Sequence, residues 1–298
     1  MAQQKVLIAG ASGYLGRYAV REFAGRGYAV RALVRDRLRL SGIGPNFEPD
    51  VSQLVAEVHV GDAADPSSLR GSCDGGVDVV FSCMGLTKPQ AGATSQAVDH
   101  LGNRALLEEA VRSGVKRFVY VSVFNADKMM DSDMVAAHER FVEDLRASPM
   151  PHTVIRPTAY FNDMGMFFGF ARKGHVFLFG DGKNRFNPIH GADLAKACAD
   201  AANDEGCSEV AVGGPETFTY DETNLMAFEA LGLEPKITHV PMWVGDAALF
   251  ALGLFNAPFA SIMAFALSVS RMDNVAPAAG TRRLQEFYRD LAGRESAA

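Results

Sequence analysis

Positive charge is in short supply. The 298-residue chain carries 29 lysines and arginines against 35 aspartates and glutamates, a formal net charge of −6, and its isoelectric point is near 5.7. A polyanion binder needs a basic stripe, so DNA and RNA are excluded as main ligands. Cysteine is equally sparse: Cys73, Cys83, Cys198 and Cys207 form no C-x-x-C pair, and Cys83 lies in an apolar run that reads as a buried free thiol. No H-E-x-x-H, cysteine cluster or carboxylate-rich loop is present, so no metal is expected. A reduced, cytoplasmic setting fits this usage, and the N-terminus lacks the long apolar segment of a signal peptide.

Charge is missing altogether from Ala247 to Ser270. Roughly 20 apolar residues suffice to cross a bilayer, but Gly253, Asn256, Pro258, Ser261 and Ser268 interrupt this run. Asn256-Ala257-Pro258 reads as a break between two short amphipathic helices. The expectation is that they cover an apolar pocket and do not span a membrane, with peripheral membrane contact left open.

Apolar residues make up 48% of the chain, enough for one large core or a main domain with a smaller partner. Up to about Pro157, short β-branched runs alternate with helical patterns. Lys5 to Ala9, Ala29 to Val34, Val55 to Val60, Val77 to Cys83, Arg117 to Ser122 and His152 to Arg156 read as six strands. Tyr14 to Gly25, Val98 to Ser113 and Val135 to Ala147 read as helices. Continuous apolar strands joined by helices predict an α/β fold with a doubly wound parallel sheet, the Rossmann arrangement. This domain is expected over residues 1–157. Residues 158–298 are expected to form a smaller α/β substrate lobe, interleaved with the first domain and not folding independently. There Asp193 and Asp221 are placed to cap helices, the second ending near Gly232.

Directly after the first strand stands GASGYLGR, with Gly10, Gly13 and Gly16 spaced G-x-x-G-x-x-G. Glycine allows the sharp turn, the approach of backbone amides to a pyrophosphate, and the packing of the helix on the sheet. Gly10, Ser12, Gly13, Tyr14, Leu15 and Gly16 are therefore the expected phosphate cradle at a helix N-terminus. At the end of the second strand, Val34 stands where an acid would bind an adenosine ribose, and Arg35 follows it. Arg35 and Arg17 together favour the 2′-phosphate of NADP(H); the competing reading makes Arg35, with Arg37 and Arg39, a solvated basic run. Asp62, ending the third strand, is a candidate partner for the adenine, and Cys83 and Gly85 border the groove after the fourth.

These elements, with YVS at Tyr120 to Ser122, RPT at Arg156 to Thr158 and NPIHGADLA at Asn187 to Ala195, give the chain a resemblance to short-chain dehydrogenases/reductases of the extended or atypical kind. Within them it is most similar to the divinyl-chlorophyllide-reductase-like, isoflavone-reductase-like and nitrogen-regulator-like branch. The resemblance implies NADP(H), an apolar or aromatic substrate, a backbone-shaping role for Pro157 and Thr158 around the nicotinamide, and a structural role for His190. The chain departs from the family where a tyrosine and a lysine four residues apart would stand. The helix register places Val135 and Glu139 there, and neither can replace the pair.

Three residues are candidate substitutes: His138, an imidazole able to donate a proton, Ser122 as a donor to a substrate oxygen, and Tyr160 as a phenol. Their competing readings are a surface histidine, a chain cap and a packed aromatic. The leading expectation is an NADPH-dependent reductase of an apolar conjugated double bond or carbonyl, its pocket lined by aromatics such as Phe161, Phe167, Phe168 and Phe177. The alternative is a non-catalytic NADP(H)-binding sensor or assembly protein. Either is compatible with a monomer or a homodimer.

Overall fold

The computed structural model describes residues 3–86, 93–255 and 257–296. Asn256, the expected break in the uncharged run, lies outside the described residues. The chain divides into two compact units, one made of Met1–Arg156 with Leu194–Val210, the other of Pro157–Asp193 with Ala211–Ala298.

The first unit is built on β1 (Lys5–Ala9), β2 (Ala29–Val34), β3 (Glu57–Val60), β4 (Val79–Ser82), β5 (Arg117–Val121) and β6 (His152–Pro157). All successive pairs among them are parallel. The order is β3-β2-β1-β4-β5-β6, and a seventh strand, Ser208–Val212, lies beyond β6. That strand escapes a reading by apolar runs because only Val212 in it is buried, as a sheet edge permits. β1, β4 and β5 are buried almost throughout, which is why they read as unbroken apolar stretches. The chain leaves β1 toward β2 on one side and returns to β4 on the other, so the winding reverses between β1 and β4.

Helices α1 (Tyr14–Gly25), α2 (Asn103–Arg112) and α3 (Asp133–Ala147) complete this unit. The expected helix from Val98 to Ser113 is two pieces: a π-helical segment, Gln96–Gly102, runs into α2. In α3, Val135, Phe141, Val142 and Leu145 are buried at helical spacing. Phe141 packs edge-on to Tyr120 of β5 at 4.5 Å and against Phe118 at 5.8 Å, which sets the rotation of α3 on the sheet.

In the second unit, α4 (Phe161–Arg172) packs with α6 (Tyr220–Leu231) and α9 (Leu284–Ser296). α5 (Gly191–Ala201) starts before Asp193, so Asp193 is not its cap. The Asp193 carboxylate instead accepts the amides of Thr281 and Arg282, both at 3.0 Å, and pairs with the Arg282 guanidinium. Likewise α6 is capped by Thr219 in a reciprocal box with Glu222, and Asp221 pairs with His239 at 2.8 Å. The helix ends at Gly232 with φ of 65°, as expected. His190 behaves as a structural residue: its Nδ1 accepts the Ala192 amide at 3.0 Å. α7 (Met242–Phe255) and α8 (Ala257–Ser270) pack on each other. They are not amphipathic as expected: Trp243, Phe250, Leu254 and Phe255 are all exposed. No helix among the described residues is long and apolar enough to cross a membrane.

Arg117, buried at the start of β5, ties the returning segment to the sheet by donating to the carbonyls of Ala201 at 2.6 Å and Gly206 at 3.0 Å, and to the Thr153 hydroxyl. Arg117→Ala removes all three bonds, including the buried donation to Ala201, and is expected to cost about 2–4 kcal/mol. Urea unfolding should show a lower midpoint with unchanged slope; an unchanged midpoint refutes the tie.

Candidate functional site

Gly10 leaves β1 with φ of +85°. A Cβ on it would lie 3.0 Å from the Cys83 carbonyl oxygen and 3.3 Å from Cys83 Sγ. The turn therefore requires glycine both for its conformation and for its approach to the end of β4. A Cβ on Gly16 would lie 2.0 Å from the Gly10 carbonyl oxygen, so α1 can pack on the turn only through glycine. The Gly13 amide donates to that same oxygen at 2.9 Å. Gly13 stands at the helix cap with no side-chain hydrogen bond, and no acidic residue occupies the first turn. A helix start left without a side-chain cap, facing the crevice at the winding reversal, fits the phosphates of a dinucleotide. Ser12, Gly13 and Tyr14 retain exposure there, whereas the Leu15 side chain is core and only its backbone can serve a ligand.

Arg17 is not placed as a phosphate ligand. Its guanidinium is buried and donates to the backbone carbonyls of Arg39, Ser41, Gly42 and Pro49. Both terminal nitrogens are thus engaged in holding the segment after β2. Arg35 stands exposed at the end of that strand, directly after buried Val34. Asp36 caps the short turn Arg37–Leu40 by accepting the Leu38 amide at 2.9 Å. Asp62 accepts the Ala64 amide at 3.0 Å, while its own amide bonds the Ser68 hydroxyl at 2.8 Å. The Cys83 sulfur points toward the Ala9 carbonyl at 3.5 Å, and burial pushes the thiol up to about 12, so it is no thiolate.

On α3, Val135 is fully buried and inert. Glu139 forms a two-pronged ion pair with Arg156, each contact 2.8 Å, and accepts the Ser122 hydroxyl at 2.6 Å. Arg156 also binds Glu209 at 2.9 Å. This overturns Ser122 as donor to a substrate oxygen, because its single hydroxyl proton is already directed to Glu139. His138 faces the opposite way: its Nδ1 shares a 2.5 Å hydrogen bond with the Tyr120 hydroxyl. Its other edge lies next to Gly85, with the buried carboxylate of Asp99 beside it. Tyr120 and Asp99 were not among the residues singled out for chemistry; the one signal for Asp99 is its spacing of four from Asn103, which puts two polar residues on one face of a helix.

Pro157, Thr158 and Tyr160 belong to the second unit. There the Thr158 hydroxyl donates to the Asn187 carbonyl at 2.6 Å, and Tyr160 precedes α4, its amide bonded to Asp163 at 2.9 Å. Phe161 and Phe168 are core, packed against Phe287 and Tyr288 respectively, and not pocket lining.

Gly16→Ala tests the cradle directly. The Cβ clash with backbone should cost about 1–3 kcal/mol and abolish dinucleotide binding in calorimetry; a variant as stable and as tightly binding as the parent would refute it.

Comparison with known proteins places this geometry in context. The chain is 30% identical to the chloroplastic divinyl chlorophyllide a 8-vinyl-reductase of Oryza sativa subsp. indica over 96% of its own length and 78% of that protein's. It spans 62–65% of the length of three further plant relatives of that description. It is 26% identical to the photosystem II assembly factor Ycf39 of Guillardia theta, covering 84% of this chain and 78% of that one. Among solved structures, the NADPH complex of the NADPH-dependent quinone oxidoreductase QOR2 from Escherichia coli superposes with a TM-score of 0.67 at 18% identity, covering 97% and 94% of the two chains. That likeness is one of fold. A family model for NAD(P)H-binding proteins matches residues 10–205, from the first glycine of the turn to just beyond α5, and the chain belongs to that NAD(P)H-binding family.

Proposed function

We propose that the protein is an NADPH-dependent reductase acting on a conjugated carbon–carbon double bond or a carbonyl in an apolar compound. The observation that carries this reading is the glycine cradle at the uncapped start of α1, at the winding reversal between β1 and β4. The 8-vinyl-reductase relatives support a double bond as the reducible group. Bound NADPH would supply hydride. The backbone amides of Gly10 to Gly16 hold its phosphates, Arg35 meets the 2′-phosphate, Arg17 keeps the neighbouring segment in place, and Asp62, Cys83 and Gly85 border the groove. The proton comes from His138, with Tyr160 the other phenol to test; Pro157 and Thr158 would shape the backbone around the nicotinamide. A reduced setting such as the cytoplasm suits four free cysteines.

A second reading, a dinucleotide-binding assembly protein without turnover, is favoured by the similarity to Ycf39 and by Val135 and Glu139 standing in place of the tyrosine and lysine. NADPH oxidation followed at its own absorbance, with divinyl chlorophyllide a, enones and quinones as acceptors, separates the two. Saturable oxidation with one acceptor is expected. NADPH binding with no turnover across the set would favour the assembly protein.

Arg35→Asp should weaken NADPH binding by tenfold or more, about 1.4 kcal/mol, and leave NADH binding unchanged. Equal losses for both nucleotides in a calorimetric titration would refute the assignment of Arg35.

A further inference from the structure

Three side chains from three elements converge beside Gly85, in the loop that follows β4. Tyr120 of β5 is fully buried and holds His138 Nδ1 at 2.5 Å. Asp99, in the π-helical segment, has no exposed surface; its Oδ1 accepts the Leu86 amide at 2.6 Å, and its Oδ2 has no hydrogen-bond partner among the described residues. A Cβ built on Gly85 would lie 3.5 Å from Asp99 Oδ1 and 3.5 Å from both Cε1 and Nε2 of His138. The carboxylate and the far edge of the imidazole therefore border one small space.

Two features of this arrangement are costly to the fold. A carboxylate buried with an unsatisfied oxygen destabilises the native state, and capping the Leu86 amide requires only one of its oxygens. A π-helical segment is rare and concentrates at functional sites. Asn103 holds this segment against the end of β4: its side-chain amide donates to the carbonyls of Asp99 at 2.9 Å and Met84 at 3.3 Å, and its oxygen accepts the Ser82 hydroxyl at 2.6 Å. The segment that carries Asp99 is thus held in place against the end of β4.

We propose that Asp99 and His138 form a coupled proton-holding pair, oriented by Tyr120, that supplies the proton in the reduction. The direction of proton flow rests on the reductase reading; the coupling does not. Addition of hydride to the substrate double bond makes one C–H bond and moves the π electron pair to the far atom, leaving NADP⁺. The Nε2–H bond of His138 breaks toward that pair, its electrons stay on nitrogen, and solvent later returns the proton. Asp99 acts through His138 as a positioning residue, and the Tyr120 hydroxyl serves either tautomer because it both donates and accepts.

The groups facing the pair are Tyr120 from β5, the Leu86 amide after β4, and Ser95 from the start of the π-helical segment. Glu139 is turned to Arg156 and Ser122, and His100 is turned to Asp144. Burial pushes the Asp99 carboxyl above its ordinary value, against the opposing pulls of His138, the Leu86 amide and Ser95. The folded protein therefore holds the Asp99 proton more tightly than the unfolded chain does. Asp99 detracts from stability as pH rises from the unfolded value, about 4, through the raised folded one.

Two measurements on the intact chain, neither needing substrate, test the coupling. Carbon-13 titration of the Asp99 carboxyl should show a midpoint that rises further in His138→Gln, since a positive neighbour is lost; an unmoved midpoint overturns the proposal. This is read on the native carboxyl, so it stands whether or not an Asp99 variant folds. Asp99→Asn should raise the melting temperature at pH 8, by about 2–4 °C, with the gain gone at pH 4; a lower melting temperature at both pH values assigns Asp99 a structural role and also overturns the proposal. In turnover, with divinyl chlorophyllide a as probe, Asp99→Asn should lower kcat about tenfold or more at unchanged KM and NADPH affinity, with an altered pH profile. Turnover indifferent to Asp99→Asn refutes the role. Intact coupling in a parent protein that binds NADPH yet reduces nothing counts against the reductase reading and leaves the proton pair standing.

Discussion

The contact on which the first unit depends is that between two strand ends. At the carboxyl edge of the sheet, the backbone at Gly10 runs against Cys83, and Gly16 of α1 runs against Gly10. Each approach is closed to any side chain. Because β1 and β4 meet there, α1 starts beside the crevice with its first amides turned to it, and the loop after β4 is carried to the π-helical segment. The glycine turn and the proposed proton pair are thus consequences of one close approach, at the edge where ligands of open parallel sheets bind.

Several charged side chains of this unit, at both ends of the sheet, serve to hold other groups in place. Arg17 gathers four carbonyls, Arg117 ties in the segment that returns to the sheet, and Arg156 and Glu139 bind each other while Glu139 also takes the Ser122 proton. Buried ions with every donor engaged are compatible with a stable fold because pairing offsets their desolvation. Asp99 and His138 differ: neither is engaged in an ion pair of that kind, and both border the space beside Gly85. It is this contrast that singles them out, since residue type alone offers His138, Ser122 and Tyr160 and does not point to Asp99.

The second unit shows the same limit for apolar residues. A run of phenylalanines reads as pocket lining, yet Phe161 and Phe168 complete a core with Phe287 and Tyr288. The uncharged stretch from Ala247 to Ser270 folds into α7 and α8, which expose Trp243, Phe250, Leu254 and Phe255. Whether an apolar side chain is covered depends on neighbours far away in the chain, and hydrophobicity alone does not specify them.

By itself the sequence determined what depends on short-range geometry. Buried parallel strands impose unbroken apolar runs, helices impose their period, and a strand turning into a helix over phosphates imposes glycine at fixed spacing. Six strands, α1, α3 and the glycine turn were legible for these reasons. The tertiary structure decided what depends on direction. It set which way Arg17 and Ser122 point, it caps α6 through Thr219 while turning Asp221 to His239, and it adds an exposed edge strand with too little burial to leave a pattern. It also brings Asp99, Tyr120 and His138, far apart in sequence, to one side of Gly85. Hydrogen bonding is directional and burial is a property of the whole fold, so neither can be read from spacing along the chain.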